Sequence, residues 1–296
     1  MLLLLLAVVP GIAICLFIYS LTNYTREAIR YLIIAFILGM VATLPALVIQ
    51  TISFDVRNDS FRHSILSYLW YAFVVVALSE EGGKYLVLRV YAYPKAVFKE
   101  PFDGIVFAVM IGMGFATVEN IEYVIKFGLE TAVSRFFLAI PAHAAFAVLM
   151  GYPVGRAKFE KGRSWWLMGK GLLLAVVFHG SFDFFLFFQQ SRQAEKYFST
   201  GVLSFGAFAS FYIAVRMAMR ALRMHRAAKE AEEEAEQRDH FLNNKQTEND
   251  GCNTIDPSGR TGRHQHYRVS GPADLAGDLW GNSAGGAAAV YAEPLL

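Results

Sequence analysis

Four consecutive apolar segments of this sequence carry acidic, basic and imidazole side chains of the kind that hydrolytic chemistry uses. In chain order the segments contain SEEGGKYL, IGMGFATVENIEY, RFFLAIPAHAAF and VVFHGSFDFF. An ionisable side chain inside a bilayer costs on the order of 3 kcal/mol or more unless it is paired, protonated or hydrated, so these residues are candidates for a functional site. The pattern predicts a buried polar site to which several helices contribute.

Helical spacing predicts which of these side chains face one another. Glu80 and Lys84 are four residues apart and therefore share a helix face, whereas Glu81 points about 100° away. His179 and Asp183 have the same spacing. A carboxylate that accepts an imidazole N–H fixes the tautomer for metal binding or for acid–base catalysis. The sequence therefore predicts two local pairs, one acid–base and one acid–imidazole.

Glu119 and His143 add two further candidates at a comparable depth. With a rise of about 1.5 Å per residue, Glu81, His143, His179 and Glu119 lie about 12 to 22 Å from the predicted cytoplasmic ends of their helices. The four groups are therefore expected to meet near the middle of a bundle. Structural roles stay open at this point: Lys84 could extend to the interface, Glu119 could be solvated near the outer surface, and His143 could be purely structural.

Glycines and one proline accompany the polar residues. The glycines are Gly82, Gly83, Gly112, Gly114 and Gly180. Without side chains at these positions, another helix or an extended substrate backbone can come close. Pro141 cannot donate a backbone hydrogen bond, so a kink is expected in the fifth helix just before His143.

Composition and segment length indicate a membrane protein. The chain has 296 residues, of which 55% are hydrophobic and 18% charged, and its mean hydropathy is +0.37. Seven apolar segments are long enough to span a bilayer; they cover about 2–21, 31–53, 66–88, 104–125, 132–151, 166–188 and 198–219. We expect an all-α polytopic bundle with 2–21 as a retained first helix. The net charge of +2 does not suggest nucleic acid, and Cys15 and Cys252 form neither a disulfide framework nor a CxxC site.

The distribution of basic residues predicts the orientation of the bundle. The loops after the first, third, fifth and seventh segments carry thirteen counted Lys and Arg residues, and the remaining loops carry five. The positive-inside rule then places the N-terminus outside and the C-terminus in the cytoplasm. We expect a helix bundle with the site over 1–222, a charged cytoplasmic helix over 223–245 and a disordered tail over 246–296.

EEGGK, FATVEN, the Arg135-to-His143 segment and HGSFD occur in that order over roughly residues 1–220, and the set resembles the PrsW family of intramembrane metalloproteases. It is similar, more distantly, to the CAAX prenyl-endopeptidases and bacteriocin-processing membrane proteins, which would carry a histidine where this chain has Glu119. The resemblance implies a multi-pass protease of the cell membrane that performs site-1 cleavage of a single-span protein such as an anti-sigma factor. The functional residues it implies are Glu80, Glu81, Glu119, His143 and His179, with Lys84, Asn120 and Asp183 in support.

Peptide hydrolysis needs an activated water, a polarised carbonyl and a proton for the leaving amine. With this resemblance, we expect one metal ion, zinc, held by His143, His179 and Glu119 and leaving a fourth position for water. The sequence contains no compact zinc signature such as HExxH. The zinc prediction therefore rests on the residue types and on the resemblance.

The remaining residues are expected to support this centre. Glu81 is predicted to act as general base and then as general acid. Asp183 is expected to orient His179, while Glu80 and Lys84 hold the third helix in place.

Two alternatives remain open from the sequence. In a metal-free glutamate protease, Glu81 would activate water while His143, His179 and Asn120 stabilise the oxyanion. In a different class, a proton-coupled transporter or a membrane scaffold, buried acids and histidines would form a proton relay. Transporters often show inverted repeats, and no internal repeat is evident here. The sequence does not indicate an oligomeric state.

Overall fold

The structure is a computed structural model that describes residues 1–22, 24–56, 64–160, 162–191, 194 and 198–253. Within these ranges every regular element is a helix. Some basic residues used for the orientation lie outside the described residues: Arg57, Arg62, Lys161, Arg192 and Lys196. The same is true of 254–296, which is most of the predicted tail.

The described residues form a succession of helices, and their lengths confirm the predicted membrane bundle. The helices are α1 (Leu2–Ser20), α2 (Arg26–Val56), α3 (Ile65–Ala92), α4 (Pro101–Phe127), α5 (Leu129–Phe137), α6 (Ala139–Phe159), α7 (Ser164–Phe188) and α8 (Thr200–Asn253). In this described part, seven helical stretches are long and apolar enough to cross a membrane, α5 and α6 together forming one of them. The orientation of the termini stays a prediction.

Helix α4 is the central element of the bundle. In its membrane window 89% of the residues are buried, compared with 50% or less in the other spans. It packs against α1, α2 and α6. A helix that is apolar all round is expected in such an interior position. Polar residues on α4 therefore face protein rather than lipid.

Glycines bring α4 into backbone contact with its neighbours. A Cβ atom on Gly114 would overlap with the carbonyl oxygen of Phe36 in α2, and one on Gly104 would overlap with that of Gly151 in α6. Small residues allow such close approach of membrane helices. Gly82, by contrast, has no atom within 4 Å of the place of a Cβ. Close helix packing, which the sequence suggested for several glycines, is therefore found at Gly114 but not at Gly82.

Helix α3 is not a regular α-helix along its whole length. Its α-helical segment Leu78–Val87 lies between two π-helical segments, Tyr71–Ala77 and Leu88–Ala92. π-Helical turns are rare and occur frequently at functional sites. The SEEGG motif lies directly after the first of them.

The kink expected at Pro141 is a break between two helices. Helix α5 ends at Phe137, and α6 begins at Ala139. The proline ring would clash with the carbonyl group four residues earlier, which belongs to Phe137, so the regular helix cannot continue through this point. Pro141 lies in the first turn of α6, where an N–H group has no helical acceptor and its absence costs little. His143 follows on the regular part of α6.

Helix α8 extends well beyond its membrane span. It begins at Thr200 and ends at Asn253, so the charged segment 223–245 is helical and the helix continues past the predicted boundary at 246. Residues Met1–Ala221 form one compact unit, and a second unit begins at Leu222. All the candidate site residues belong to the first unit.

Candidate active site

Helix α3 places three charged side chains inside the bundle. Glu80, Glu81 and Lys84 are only 3%, 0% and 3% exposed. The Lys84 Nζ atom lies 2.7 Å from Glu81 Oε1 and 3.6 Å from Glu80 Oε2. Lys84 therefore turns inward instead of extending to the interface, and it pairs more closely with Glu81 than with the predicted partner, Glu80. Pairing is what allows such charges to be buried.

His143 on α6 joins this cluster from the opposite side. Its Nδ1 atom lies 3.1 Å from Lys84 Nζ, and its Nε2 atom lies 2.9 Å from Oε2 of Glu119 on α4. His143 is buried, so both ring nitrogens face protein groups. The imidazole thus connects α3, α4 and α6.

His179 on α7 has a similar arrangement. Its Nδ1 atom lies 2.8 Å from Glu81 Oε1, and its Nε2 atom lies 3.2 Å from Asp183 Oδ2, as the spacing of these two residues predicts. The ring stacks on Phe146 with a centroid distance of 5.1 Å and is 5.2 Å from the His143 ring. In both histidines Nε2 contacts a carboxylate, while Nδ1 is directed at the Glu81–Lys84 pair. A carboxylate behind an imidazole is typical of metal-binding and catalytic histidines.

Arg135 on α5 is a polar residue that the sequence analysis did not place in the site. Its Nε atom donates a hydrogen bond of 2.5 Å to Asn120 Oδ1, and an Nη atom lies 3.0 Å from Glu119 Oε2. Asn120 in turn donates to the carbonyl oxygen of Ala7 on α1, at 3.2 Å. Asn120 is therefore turned towards α1, and Arg135 fixes the carboxylate that contacts His143.

Gln50 on α2 is a second such residue. Its Nε2 atom donates a hydrogen bond of 3.0 Å to Glu80 Oε1. Both residues could have been found by the rule that polar side chains within apolar segments are candidates for a site. Gln50 is a single amide within the apolar stretch LPALVIQTI, and Arg135 is a charged residue within the apolar segment 132–151. The sequence gives no indication of which partner each would have.

Four side chains of the cluster could together hold a metal ion. Glu80, Glu81, His143 and His179 each offer one ligand atom, and these atoms lie within 4.8 Å of one another. Among the described residues, the Oε2 atoms of Glu80 and Glu81 have no hydrogen-bond partner although they are buried. Imidazole nitrogen and carboxylate oxygen are common zinc ligands. Glu119 is not part of this group, because it approaches His143 from the other side.

The charges of the site also fit a divalent cation. The charged side chains are four acids and two bases: Glu80, Glu81, Glu119, Asp183, Lys84 and Arg135. With the carboxylates ionised and both imidazoles neutral, two negative charges remain uncompensated. Uncompensated charge in a protein interior is strongly unfavourable. A divalent metal ion would neutralise it, so the residues present fit the group in number, type and charge.

A cavity of about 760 Å³ gives access to this centre. Glu80, Glu119, His143 and His179 line it, and so does Gln190, which follows the end of α7. Seven of the lining residues are aromatic: Tyr68, Tyr71, Tyr123, Phe127, Phe146, Phe182 and Phe187. The cavity offers room for both water and a segment of polypeptide.

A membrane-spanning bundle whose buried carboxylates and imidazoles open into a cavity is the architecture expected of an intramembrane protease. The family model of the PrsW family intramembrane metalloproteases matches residues 27–220, so the chain belongs to this family. It is therefore a multi-pass integral protein of the cell membrane, from a family of peptidases that act on membrane proteins.

Individual relatives agree with this assignment. Protease PrsW of Shouchella clausii is 36% identical over 184 residues, which is 62% of this chain and 83% of that protein. Protease PrsW of Bacillus subtilis is 35% identical over 60% of this chain and 80% of its own length, and that of Clostridioides difficile is 35% identical over 62% and 78%. No solved structure matches the chain. The roles of individual site residues stay predictions.

Proposed function

We propose that this chain hydrolyses a peptide bond of a single-span membrane protein, such as an anti-sigma factor, with a metal ion and a glutamate base. The observation that supports this most directly is the convergence of Glu80, Glu81, His143 and His179 from three helices on one buried group within 4.8 Å. The transporter and scaffold alternatives lose support because the chain belongs to a protease family. The anti-sigma factor as substrate rests on the resemblance alone.

In this proposal His143, His179 and Glu81 hold the metal, which we take to be zinc. The Nδ1 atoms of both imidazoles are directed at the Glu81–Lys84 pair, and Glu81 is wholly buried. A bound zinc ion supplies a Lewis acid that activates water and polarises a carbonyl group. Glu119 and Asp183 keep the two imidazoles in the required tautomer and orientation from behind.

Glu80 is the general base in this proposal. Glu80 lines the cavity, whereas Glu81 is not among the lining residues and is 0% exposed. Gln50 holds Glu80 Oε1, and Glu80 Oε2 has no hydrogen-bond partner among the described residues. Oε2 can therefore take a proton from water and return it to the leaving amine. The assignment made from the sequence, with Glu81 as the base and Glu119 as the third ligand, is the competing version.

Two matched substitutions separate these versions. Glu80→Gln is expected to keep the bound metal while cleavage falls about 10²- to 10⁴-fold, the usual contribution of general acid–base catalysis. Glu81→Gln is expected to lose the metal as well as the activity. The measurements are metal content of the purified protein and cleavage of a single-span substrate, with Glu160→Gln as control, because Glu160 pairs with Arg156 and does not line the cavity. The reverse pattern would support the sequence-based version, and unchanged cleavage in both variants would exclude a glutamate base at this position.

A metal-free glutamate protease is the second candidate, and the position of Lys84 favours it. The Lys84 ammonium lies 3.1 Å from His143 Nδ1 and 2.7 Å from Glu81 Oε1, so the site has a cation of its own. A fixed positive charge beside the scissile carbonyl could stabilise the oxyanion. Cleavage that persists in metal-free protein treated with a strong chelator would establish this route in place of the zinc route.

A further inference from the structure

Helices α2 and α4 are in contact along one half and separate along the other. Gly39 and Gly114 bring their backbones together, and Ala46 packs against Phe115 a little farther along. Beyond this point a groove of about 410 Å³ opens between them, with Leu47 on one side. The groove lies in the half of the bundle where α4 ends.

The floor of this groove is the candidate active site. Six residues line both the groove and the central cavity: Gln50, Tyr71, Glu80, Glu119, Tyr123 and Phe127. The two spaces therefore adjoin at the carboxylates. A chain segment lying in the groove would reach Glu80 from the side of the bundle, without passing through its end.

The groove lining suits an unwound peptide rather than a membrane helix or a lipid. Its floor is polar because Gln50, Glu80 and Glu119 contribute to it, and its rim carries the ion pair Glu122–Lys126. Unwound backbone exposes N–H and C=O groups, which are tolerated at membrane depth only where protein or water satisfies them. The Gln50 carboxamide, which donates to Glu80, is the same functional group as a peptide bond. A substrate amide that displaced this carboxamide could donate to the same carboxylate oxygen.

A second groove on the bundle surface lacks these features. It has a volume of about 700 Å³ and lies between the end of α2 and the first half of α3, where Leu66 and Trp70 line it. Its lining is almost wholly apolar and includes no carboxylate, and Tyr71 is the residue it shares with the central cavity. It offers an unwound backbone the hydroxyl groups of Ser53, Ser67 and Tyr71, but no carboxylate or amide side chain among its lining residues.

We infer that the substrate polypeptide enters laterally between α2 and α4 as an extended segment that lies over Gln50 and reaches Glu80. This inference rests on the proposed function, because it takes the substrate to be a membrane protein that is cleaved at this site. It identifies the class of segment bound, which is an unwound stretch at the end of the substrate's membrane span. Besides Gln50, Leu47 and Thr51 are α2 residues that line the groove and that such a segment would touch.

Photo-cross-linking tests the route directly. A photoreactive phenylalanine analogue is introduced at Leu47 or Thr51, and at Leu44 or Val48 as controls on the same helix that are 60% and 57% exposed. Each full-length variant is irradiated with a single-span protein that the wild type cleaves. Cross-linked product is expected from the analogue at Leu47 and at Thr51, and only a background yield is expected from Leu44 and Val48. Equal adducts at all four positions, or no adduct at Leu47 and Thr51, would overturn the route.

Filling the groove provides a kinetic test. Thr51→Trp is expected to raise KM about tenfold with little change in kcat, because it removes substrate binding without touching the reacting groups. Val48→Trp, three residues earlier on the same helix, is expected to leave both constants unchanged, and a thermal melt checks that both variants fold. Equal effects of the two substitutions would overturn the lateral route but leave the proposed function standing. If the wild type cleaves no single-span protein, the proposed function fails and the route fails with it.

Discussion

Each of the two site histidines contacts a carboxylate through Nε2, and each directs Nδ1 at the Glu81–Lys84 pair. A carboxylate in this position fixes the tautomer and makes the other nitrogen a better ligand. The arrangement assigns equivalent roles to Glu119 and Asp183, although they come from different helices and different motifs. On the Nδ1 side of His179 the carboxylate in contact is that of Glu81, whereas Glu80 lies 3.9 Å from its Nε2 atom.

This equivalence gives a prediction for Glu119. If Glu119 acts from behind His143, Glu119→Gln keeps one metal ion per protein but weakens its affinity about 10- to 100-fold, as substitutions of outer ligand partners do. Competition with a chromophoric chelator measures this affinity. Glu122→Gln is the matched control, because Glu122 lies one turn away and pairs with Lys126 at the rim. Complete loss of the metal in Glu119→Gln alone would identify Glu119 as a ligand, as the sequence analysis proposed.

At the residue scale, local spacing was sufficient for some pairs and not for others. The contact between His179 and Asp183 follows from the geometry of one helix. Lys84 pairs more closely with Glu81 than with Glu80, because its long side chain also contacts His143 on α6 and Phe115 on α4. Gln50 and Arg135 acquire their roles only through tertiary contacts, which no single-helix rule contains.

Among the elements, α4 is held by contacts that leave no room for side chains. At Gly114 the backbone of α2 occupies the space where a Cβ would be, whereas Gly82 on α3 faces open space. The two glycines belong to similar motifs, yet their environments differ completely. Substitution should therefore separate them clearly.

Gly114→Ala is expected to destabilise the bundle by about 1–3 kcal/mol, because overpacking forces the backbones apart. Gly82→Ala is expected to be neutral or slightly stabilising, since alanine is favoured over glycine within a helix. Thermal unfolding in detergent measures both variants against the wild type. A lower melting temperature for Gly82→Ala than for Gly114→Ala would contradict the packing described for α4.

At the scale of elements, the apolar segments predicted the spans well. The seven segments correspond to seven membrane-crossing stretches, because length and hydropathy alone decide this. The sequence predicted one kinked helix where the structure has α5 and α6, although Pro141 correctly indicated a distortion nearby. The π-helical turns of α3 were not predicted, because apolar sequences fit α- and π-helical turns alike.

At the scale of the whole molecule, the site and the family match lie within one compact unit. Residues Met1–Ala221 form this unit, and the matched region ends at 220. We therefore expect a chain that ends at residue 222 to cleave a single-span substrate at the wild-type rate, because all the described residues that line the cavity precede residue 191. A chain that ends at 199 lacks α8 and its contact of Leu203 with Phe188, and it is expected to lose activity. Reduced cleavage by the first chain would assign a role to residues 223–296.

The glycine contacts of α4 limit where neighbouring helices can move apart. Near the beginning of α4, Gly104 contacts Gly151 of α6. Near the middle of both helices, Gly39 of α2 contacts α4 and Gly114 of α4 contacts α2. Beyond these contacts, the groove described above opens between α2 and α4. Because α2 and α4 are held together at these glycines, we expect any separation of the two helices to be largest at their ends. On the proposed lateral route the substrate enters between these ends, whereas Glu119 lies on α4 between them and the glycine contact at Gly114. The ends of the helices could therefore separate when a substrate binds, while the residues of the candidate active site keep their positions.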